Sequence, residues 1–130
     1  MNKSNVLSAF NNHLIELFDD INSIIPHNKD LKAAQTSLVT IKKANPRIII
    51  GVWKKYVNDK YKDDILSGNI NFFLDKDYKS DLQDIEESNT ILEKIDFLRK
   101  PIKELGEENQ KKTLGYIQNL TKLCEVYYSS

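Results

Sequence analysis

Apolar residues recur at intervals of three and four positions along most of this chain, and that spacing constrains its fold more than any other feature. Between Ser4 and Ile25 they form one stripe along a helix of about six turns. The members of this stripe are Val6, Phe10, Leu14, Leu17, Ile21 and Ile24. The strict alternation that is typical of β-strands does not extend over any useful length. The sequence therefore predicts an all-α fold.

Proline, glycine and asparagine divide this pattern into segments. Pro26 ends the first helix because it lacks a backbone N–H and disfavours helical geometry at the residue before it. Asn45-Pro46 is a restart signal, since Asn suits the N-cap and Pro the first helical position. The main helices are expected at 4–25, from Asn28 or Asp30 to Ala44, at 46–58, at 80–100 and from 107 onward, with short helical segments at 59–68 and 69–78. About five main helices and two short segments predict a compact irregular helical bundle. Within it, Pro101 either bends one helix or begins another.

The composition is that of a single helical domain over residues 1–130. Apolar residues make up 40% of the chain and charged residues 29%, with four Gly and three Pro, which is typical of a folded chain. The lone cysteine, Cys124, cannot form an internal disulfide, and neither a signal-peptide core nor a membrane-length apolar run occurs. We therefore expect a protein of the cytoplasm or nucleus, neither secreted nor bound to a membrane.

Charge is distributed unevenly, although the 19 basic and 19 acidic residues cancel. Residues 1–62 contain ten Lys or Arg against five acids, residues 63–105 contain six against eleven, and residues 106–130 contain three of each. Such segments can pair within one molecule or between molecules. A neutral total provides no overall field that would attract DNA or an anionic membrane.

The segment from Lys42 to Tyr61 combines cations with aromatic rings, as a nucleic-acid groove would. On a helical wheel, one sector contains Ile49, Val52, Trp53 and Tyr56. The opposite sector contains Arg47, Gly51, Lys54 and Asn58. This separation favours buried rings and solvent-facing cations over base stacking. The residues that remain candidates for weak phosphate contact are Lys42, Lys43, Arg47, Lys54, Lys55, Lys60 and Lys62.

No residue pattern indicates catalysis, a metal, a cofactor or a small-molecule substrate. His13 flanks an apolar stripe, His27 follows Pro26, and neither stands in a nucleophile motif with Cys124. Residues 75–86 approach a calcium-loop spacing, but Lys79 occupies a ligand position and Ser80 the glycine position. We therefore predict no catalytic, cofactor-binding or metal-binding residue.

Five aromatic residues that we expect to be exposed, some of which lie outside any clear inward stripe, are candidates for contact with a protein partner. They are Phe72, Phe73, Tyr78, Tyr127 and Tyr128. In the alternative interpretation, Phe72 and Phe73 close one end of the bundle.

Several stretches resemble a group of small helical proteins of large double-stranded DNA viruses that infect algae and other protists. They are "FNNHLIELFDDI" (10–21), "IKKANPRIIIGVWKKYVNDKY" (41–61), "GNINFFLDKDY" (68–78), "LRKPI" (98–102) and "ENQKKTLGYIQNL" (108–120). The resemblance implies an infected host cell, and a place in the virion or viral factory, but supplies no catalytic residue. The combined expectation is a non-enzymatic interaction or structural protein that binds a protein or itself; a nucleic-acid-associated accessory protein is the alternative.

Overall fold

The computed structural model describes residues 2–68, 94 and 98–129. Every regular element in these ranges is helical, which confirms the all-α class. The elements are α1 (Lys3–Ile24), α2 (Lys29–Ala44), α3 (Ile48–Trp53), a π-helical turn (Lys54–Asn58), α4 (Asp59–Leu66), α5 (Arg99–Glu104) and α6 (Glu107–Ser129). No helix of the described part is long and apolar enough to cross a membrane. Phe72, Phe73, Tyr78 and most of the helix expected at 80–100 lie outside the described residues.

Asparagine side chains cap the starts of the first two helices, and α1 begins one residue earlier than expected. Asn2 caps α1 by accepting a hydrogen bond from the Ser4 N–H at 2.7 Å, so the helix begins slightly before the expected Ser4. Asn28 caps α2 in the same way, accepting from the Leu31 N–H at 3.0 Å. Pro101 lies in the first turn of α5, which begins at Arg99, and its missing N–H leaves no bond unmade there. The helix that it was expected to bend or follow lies mostly outside the described residues.

The core forms where α6 lies antiparallel along α1. Lys3 meets Tyr127 at one end of this pair, and Asp20 meets Lys112 at the other. The predicted stripe of α1 is buried apart from Ile24, whose side chain is largely exposed. On α6, the buried positions are Thr113, Ile117, Leu120, Thr121, Cys124 and Tyr127. Helical spacing in the sequence predicts an inner stripe of α6 that consists of Leu114, Ile117, Leu120, Cys124 and Tyr127. All of these are buried except Leu114, which is only partly buried, and two threonines are buried as well.

Trp53 occupies the centre of the interior, as its wheel position predicts. Its side chain is 1% exposed, and its ring meets Phe10 edge-on with centroids 5.9 Å apart. The indole Nε1–H donates to the Thr121 hydroxyl at 3.4 Å, which satisfies the polar edge of the ring. Tyr56 is also buried. These two rings are therefore core residues and do not form a stacking surface, whereas Tyr61 at the end of the segment is partly buried.

The helix that contains Trp53 does not stop at Asn58 but continues to Leu66 through the π turn. The Asp59 N–H donates to the carbonyl of Lys54, five residues earlier, so this turn contains one residue more than an α turn. The extra residue rotates Asn58 into the interior, where it is 1% exposed. The prediction that Asn58 faces outward is therefore wrong. Gly68, at φ 91°, follows the end of α4 as the predicted left-handed terminator.

Candidate functional site

The seven candidate phosphate contacts do not form one surface. Lys54 forms an ion pair with Asp59 across the π turn, and the Lys62 Nζ lies 3.3 Å from the Glu125 carboxylate. Lys54 donates a hydrogen bond to the Asp59 carboxylate, and this bond raises the pKa of Lys54. Lys54 therefore stays protonated and positively charged. These two cations are already neutralised by carboxylates of this chain.

Two further candidates are not paired with a carboxylate in the described structure. Lys55 is exposed, and its Nζ lies 5.4 Å from the centroid of the Tyr56 ring. The side chain of Lys60 lies outside the described part of the chain. Lys55 does not line a described groove, so it offers only an isolated charge to an external anion.

Lys42, Lys43 and Arg47 behave differently, because they lie where α2 ends and α3 begins, beside the start of α1. Lys3 of α1 joins them, with its Nζ 4.7 Å from the centroid of the Tyr127 ring. Among the described residues, no carboxylate lies within ion-pair distance of any of these four side chains. The Lys42 Nζ instead donates to the Asn12 Oδ1 at 3.3 Å. This end of the molecule therefore has an uncompensated positive charge.

A surface groove of two adjoining compartments, which we call the basic groove, passes among these cations. The terminal compartment, of about 390 Å³, is lined by Asn2, Lys3, Ser4, Leu7, Arg47 and Tyr127. The junction compartment, of about 200 Å³, shares Ser4 and Leu7 and adds Ser8, Asn11, Asn12, Lys42 and Pro46. Among the described residues, the lining contains three cations and no carboxylate, histidine or cysteine, so the groove suits an anionic group.

The sequence produces this groove through short side chains and a helix break. Ser4, Leu7, Ser8 and Asn11 recur at helical spacing and therefore share one face of α1. Their small size leaves a depression beside the break between α2 and α3. Asn45 has extended backbone there and its Oδ1 accepts the Arg47 N–H at 3.3 Å, which fixes the start of α3.

Asn11 joins the two walls of the groove. Its side chain is 4% exposed, and its Nδ2 donates to the carbonyl oxygen of Pro46 at 2.8 Å. This bond links α1 to the α2–α3 junction. The Asn11 Oδ1 is buried and receives no hydrogen bond from the described residues. One amide thus holds the groove together and retains an unused acceptor.

The predicted partner-binding aromatics are only partly represented in the described structure. Tyr128 is 44% exposed; its ring meets Tyr127 edge-on at 5.0 Å and lies 5.8 Å from the Lys54 Nζ. Tyr127 is only 8% exposed, so the prediction that it is an exposed contact residue is wrong. Its position in the inward stripe of α6 explains this burial. Tyr128 remains a candidate for partner contact beside the groove.

A polar cluster at the π turn is structural in character. The Asn58 Nδ2 donates to the Glu125 Oε1 at 2.5 Å, and Lys62 contacts the other carboxylate oxygen. The Asn58 hydrogen bond, aided by Lys62, lowers the pKa of Glu125. Because local cations and an amide satisfy this carboxylate, the cluster fixes α6 against the π turn.

The potential nucleophile and bases lie apart from the groove. Burial raises the pKa of the Cys124 thiol to about 12, which makes it unreactive at neutral pH. His13 packs against the Tyr116 ring with centroids 4.7 Å apart, and its Nδ1 lies 3.6 Å from Glu16. In the described residues, no three His, Cys, Asp or Glu side chains are grouped so that they could hold a metal ion.

The chain matches no protein-family model, and neither a curated protein nor a solved structure is significantly similar to it. The assignment of the groove therefore depends on its own geometry. Sequence reasoning found Lys42 and Arg47 but missed Lys3 and Asn11. The signal that could have identified the α1 wall is the run of small polar residues at helical spacing beside the apolar stripe.

Proposed function

We propose that this protein is a non-enzymatic interaction protein that binds an acidic segment of a protein partner in the basic groove. The observation that carries this proposal is the contrast between cations. Lys54, Lys62 and Lys112 have carboxylate partners within the chain, whereas Lys3, Lys42 and Arg47 line a groove without one. Charges that are left uncompensated in a concave surface favour a partner of opposite charge.

The chemistry of the lining supports a peptide occupant over a nucleic acid. Serine and asparagine side chains offer hydrogen bonds to a peptide, and Leu7 supplies an apolar floor. A nucleic-acid strand would need exposed rings for stacking, and Tyr127, the ring that lines the groove, is buried; Tyr128 beside it is exposed but does not line either compartment. The part of the lining that the structure describes also contains no side chain suited to act as a general base at neutral pH, which supports binding over catalysis.

The resemblance to viral proteins adds a setting to this proposal. On that basis we propose a partner in an infected cell or a virion, either a component of the virus or of its host. Self-association is included, since residues 63–105 of a second copy carry eleven acids against six basic residues.

Fluorescence anisotropy with a labelled peptide of alternating glutamate and glycine tests the proposal. The groove variant combines Lys42→Glu with Arg47→Glu. The control combines Lys32→Glu with Lys122→Glu, which makes the same change of net charge at exposed lysines outside the groove. Each exposed ion pair contributes up to about 1 kcal/mol and reversal adds repulsion, so we expect the groove variant to bind about tenfold more weakly or worse.

Three results would contradict the proposal: no binding by the wild-type protein at low salt, equal losses in the two variants, or affinity that is independent of salt. A labelled single-stranded oligothymidylate of matched charge tests the alternative. Tighter binding of that strand, with a loss in the groove variant, would favour nucleic-acid association through phosphate contacts. The exposed Lys43 beside the groove would then belong to the interface.

A further inference from the structure

Asn11 provides information about the conformation of whatever occupies the basic groove. Because its Nδ2 donates to the Pro46 carbonyl, the orientation of the amide is fixed and its oxygen remains the free end. Buried polar atoms in folded proteins almost always have hydrogen-bond partners. The Asn11 Oδ1 has none among the described residues, and Asn11 lines the junction compartment. An N–H from an occupant would satisfy this acceptor.

We propose that the Asn11 Oδ1 accepts a backbone N–H of the acidic segment, which lies in the groove as an extended chain. This inference depends on the proposed function, because it specifies how the same occupant is held. A helical occupant would not suffice, since its N–H groups beyond the first turn are already bonded within the helix. An extended chain leaves its N–H groups available.

The dimensions of the groove agree with a short extended stretch. Its α1 wall runs from Ser4 to Asn11, which spans about 10 Å at a rise of about 1.5 Å per residue. About three extended residues cover this length. Side chains at alternate positions of an extended chain point the same way, so two acids separated by one residue face the same side. One can then reach Arg47 or Lys3 in the terminal compartment while the other reaches Lys42.

Lys42 offers a charge contact in the same compartment as the acceptor. Its exposed hydrogen bond to the Asn12 Oδ1, at 3.3 Å, competes weakly with a carboxylate. An occupant that binds the Asn11 Oδ1 through its backbone can therefore also draw Lys42 toward its own acid.

Methylation of the peptide backbone tests this inference without altering the protein. Three labelled peptides are compared: the alternating glutamate–glycine peptide, a version N-methylated at every glycine, and a version N-methylated at every glutamate. All carry the same carboxylates, but each methylated version lacks one set of N–H donors. We expect one of the two to bind the wild-type protein roughly threefold to tenfold more weakly than the parent, the effect of one lost hydrogen bond.

Protein variants then locate the acceptor. In Asn11→Leu, and in the smaller Asn11→Ala should the first not fold, the difference between parent and methylated peptide should disappear. Asn5→Leu is the matched control, because Asn5 is an exposed asparagine of α1 that lines neither compartment, and it should keep the difference. Equal binding of all three peptides by the wild-type protein, or a difference that persists without Asn11, overturns the inference and leaves the groove proposal standing. Failure of every peptide to bind overturns both.

Discussion

Deletion of Lys55 tests whether the π turn is a single-residue insertion in an otherwise continuous helix. Five residues of the turn occupy the rotation that four residues of an α-helix would cover. Lys55 is exposed, so its removal takes no side chain out of the core. The deletion should convert Lys54–Asn58 to an ordinary α turn and leave α3 and α4 oriented as they are.

The geometry of the two turns gives the size of the effect. Residues advance by about 100° in an α turn and by about 80° here. After the deletion, Tyr56 turns by about 60°, Val57 by about 40° and Asn58 by about 20°, whereas α4 does not turn. The hydrogen bond from Asn58 to Glu125 should therefore survive. Repacking of Tyr56 is the main loss, and we expect it to lower the free energy of unfolding by about 1–2 kcal/mol.

Deletion of Lys122 is the matched control, because it removes an exposed lysine from the regular helix α6. Everything after it rotates by about 100°, which carries Cys124 and Tyr127 out of the core. The loss of two buried side chains should cost about 3 kcal/mol or more. Urea unfolding followed by circular dichroism measures both values. A deletion of Lys55 that destabilises as much as the deletion of Lys122 would refute the interpretation of the turn.

Three further predictions concern single residues. Gly115→Ala should raise the free energy of unfolding by about 0.5–1 kcal/mol, because an added Cβ meets nothing within 4 Å in the middle of α6. Gly68→Ala should lower the free energy of unfolding by about 1 kcal/mol, because the backbone there has φ 91°. Urea midpoints of both variants measure these changes, and a change of opposite sign in either would contradict its prediction. Cys124 should react with iodoacetamide at pH 8 only after urea unfolding, since burial raises its pKa to about 12; rapid alkylation of the native protein would contradict this. The hydrogen bond from Asn58 lowers the pKa of Glu125 in the folded protein. The contribution of Glu125 to stability is therefore present above the ordinary carboxylate pKa and is lost as pH falls through the lower folded pKa. The stability advantage of the wild-type protein over Glu125→Gln should shrink from pH 7 to pH 3, and a constant difference would contradict this.

Burial of the rings could be predicted from sequence because periodicity reports it directly. Trp53 and Tyr56 stand at positions that any α-helix containing them would turn inward. The inward position of Asn58 could not be predicted in this way. It depends on one extra residue in a turn, and its hydrogen-bond partner Glu125 lies 67 positions away. The local sequence pattern carries no information about a contact between residues so far apart in the chain.

The groove shows the same division between local and distant information. Lys42 and Arg47 could be identified as available cations because they are close in the chain and flank a predicted helix break. Asn11 could not be assigned to them, since 35 residues separate it from Pro46 and only the packing of α1 beside the α2–α3 junction brings them together. The positive patch was therefore partly predictable, whereas its hydrogen-bonding wall required the folded structure.

The two walls of the groove come from parts of the chain that separate on unfolding, so an occupant that bridges them should bind only the folded protein. Lys3 and Asn11 belong to α1, whereas Lys42 and Arg47 belong to α2 and the α2–α3 junction. At a concentration ten times its dissociation constant, the glutamate–glycine peptide should raise the free energy of unfolding by about 1.4 kcal/mol. Urea unfolding with and without peptide measures this increase, and the variant that combines Lys42→Glu with Arg47→Glu, which should bind about tenfold more weakly or worse, should show about 0.4 kcal/mol or less at that concentration. A peptide that binds without stabilising the protein would have to bind the unfolded chain equally well, and its binding would then reflect charge alone, without the groove.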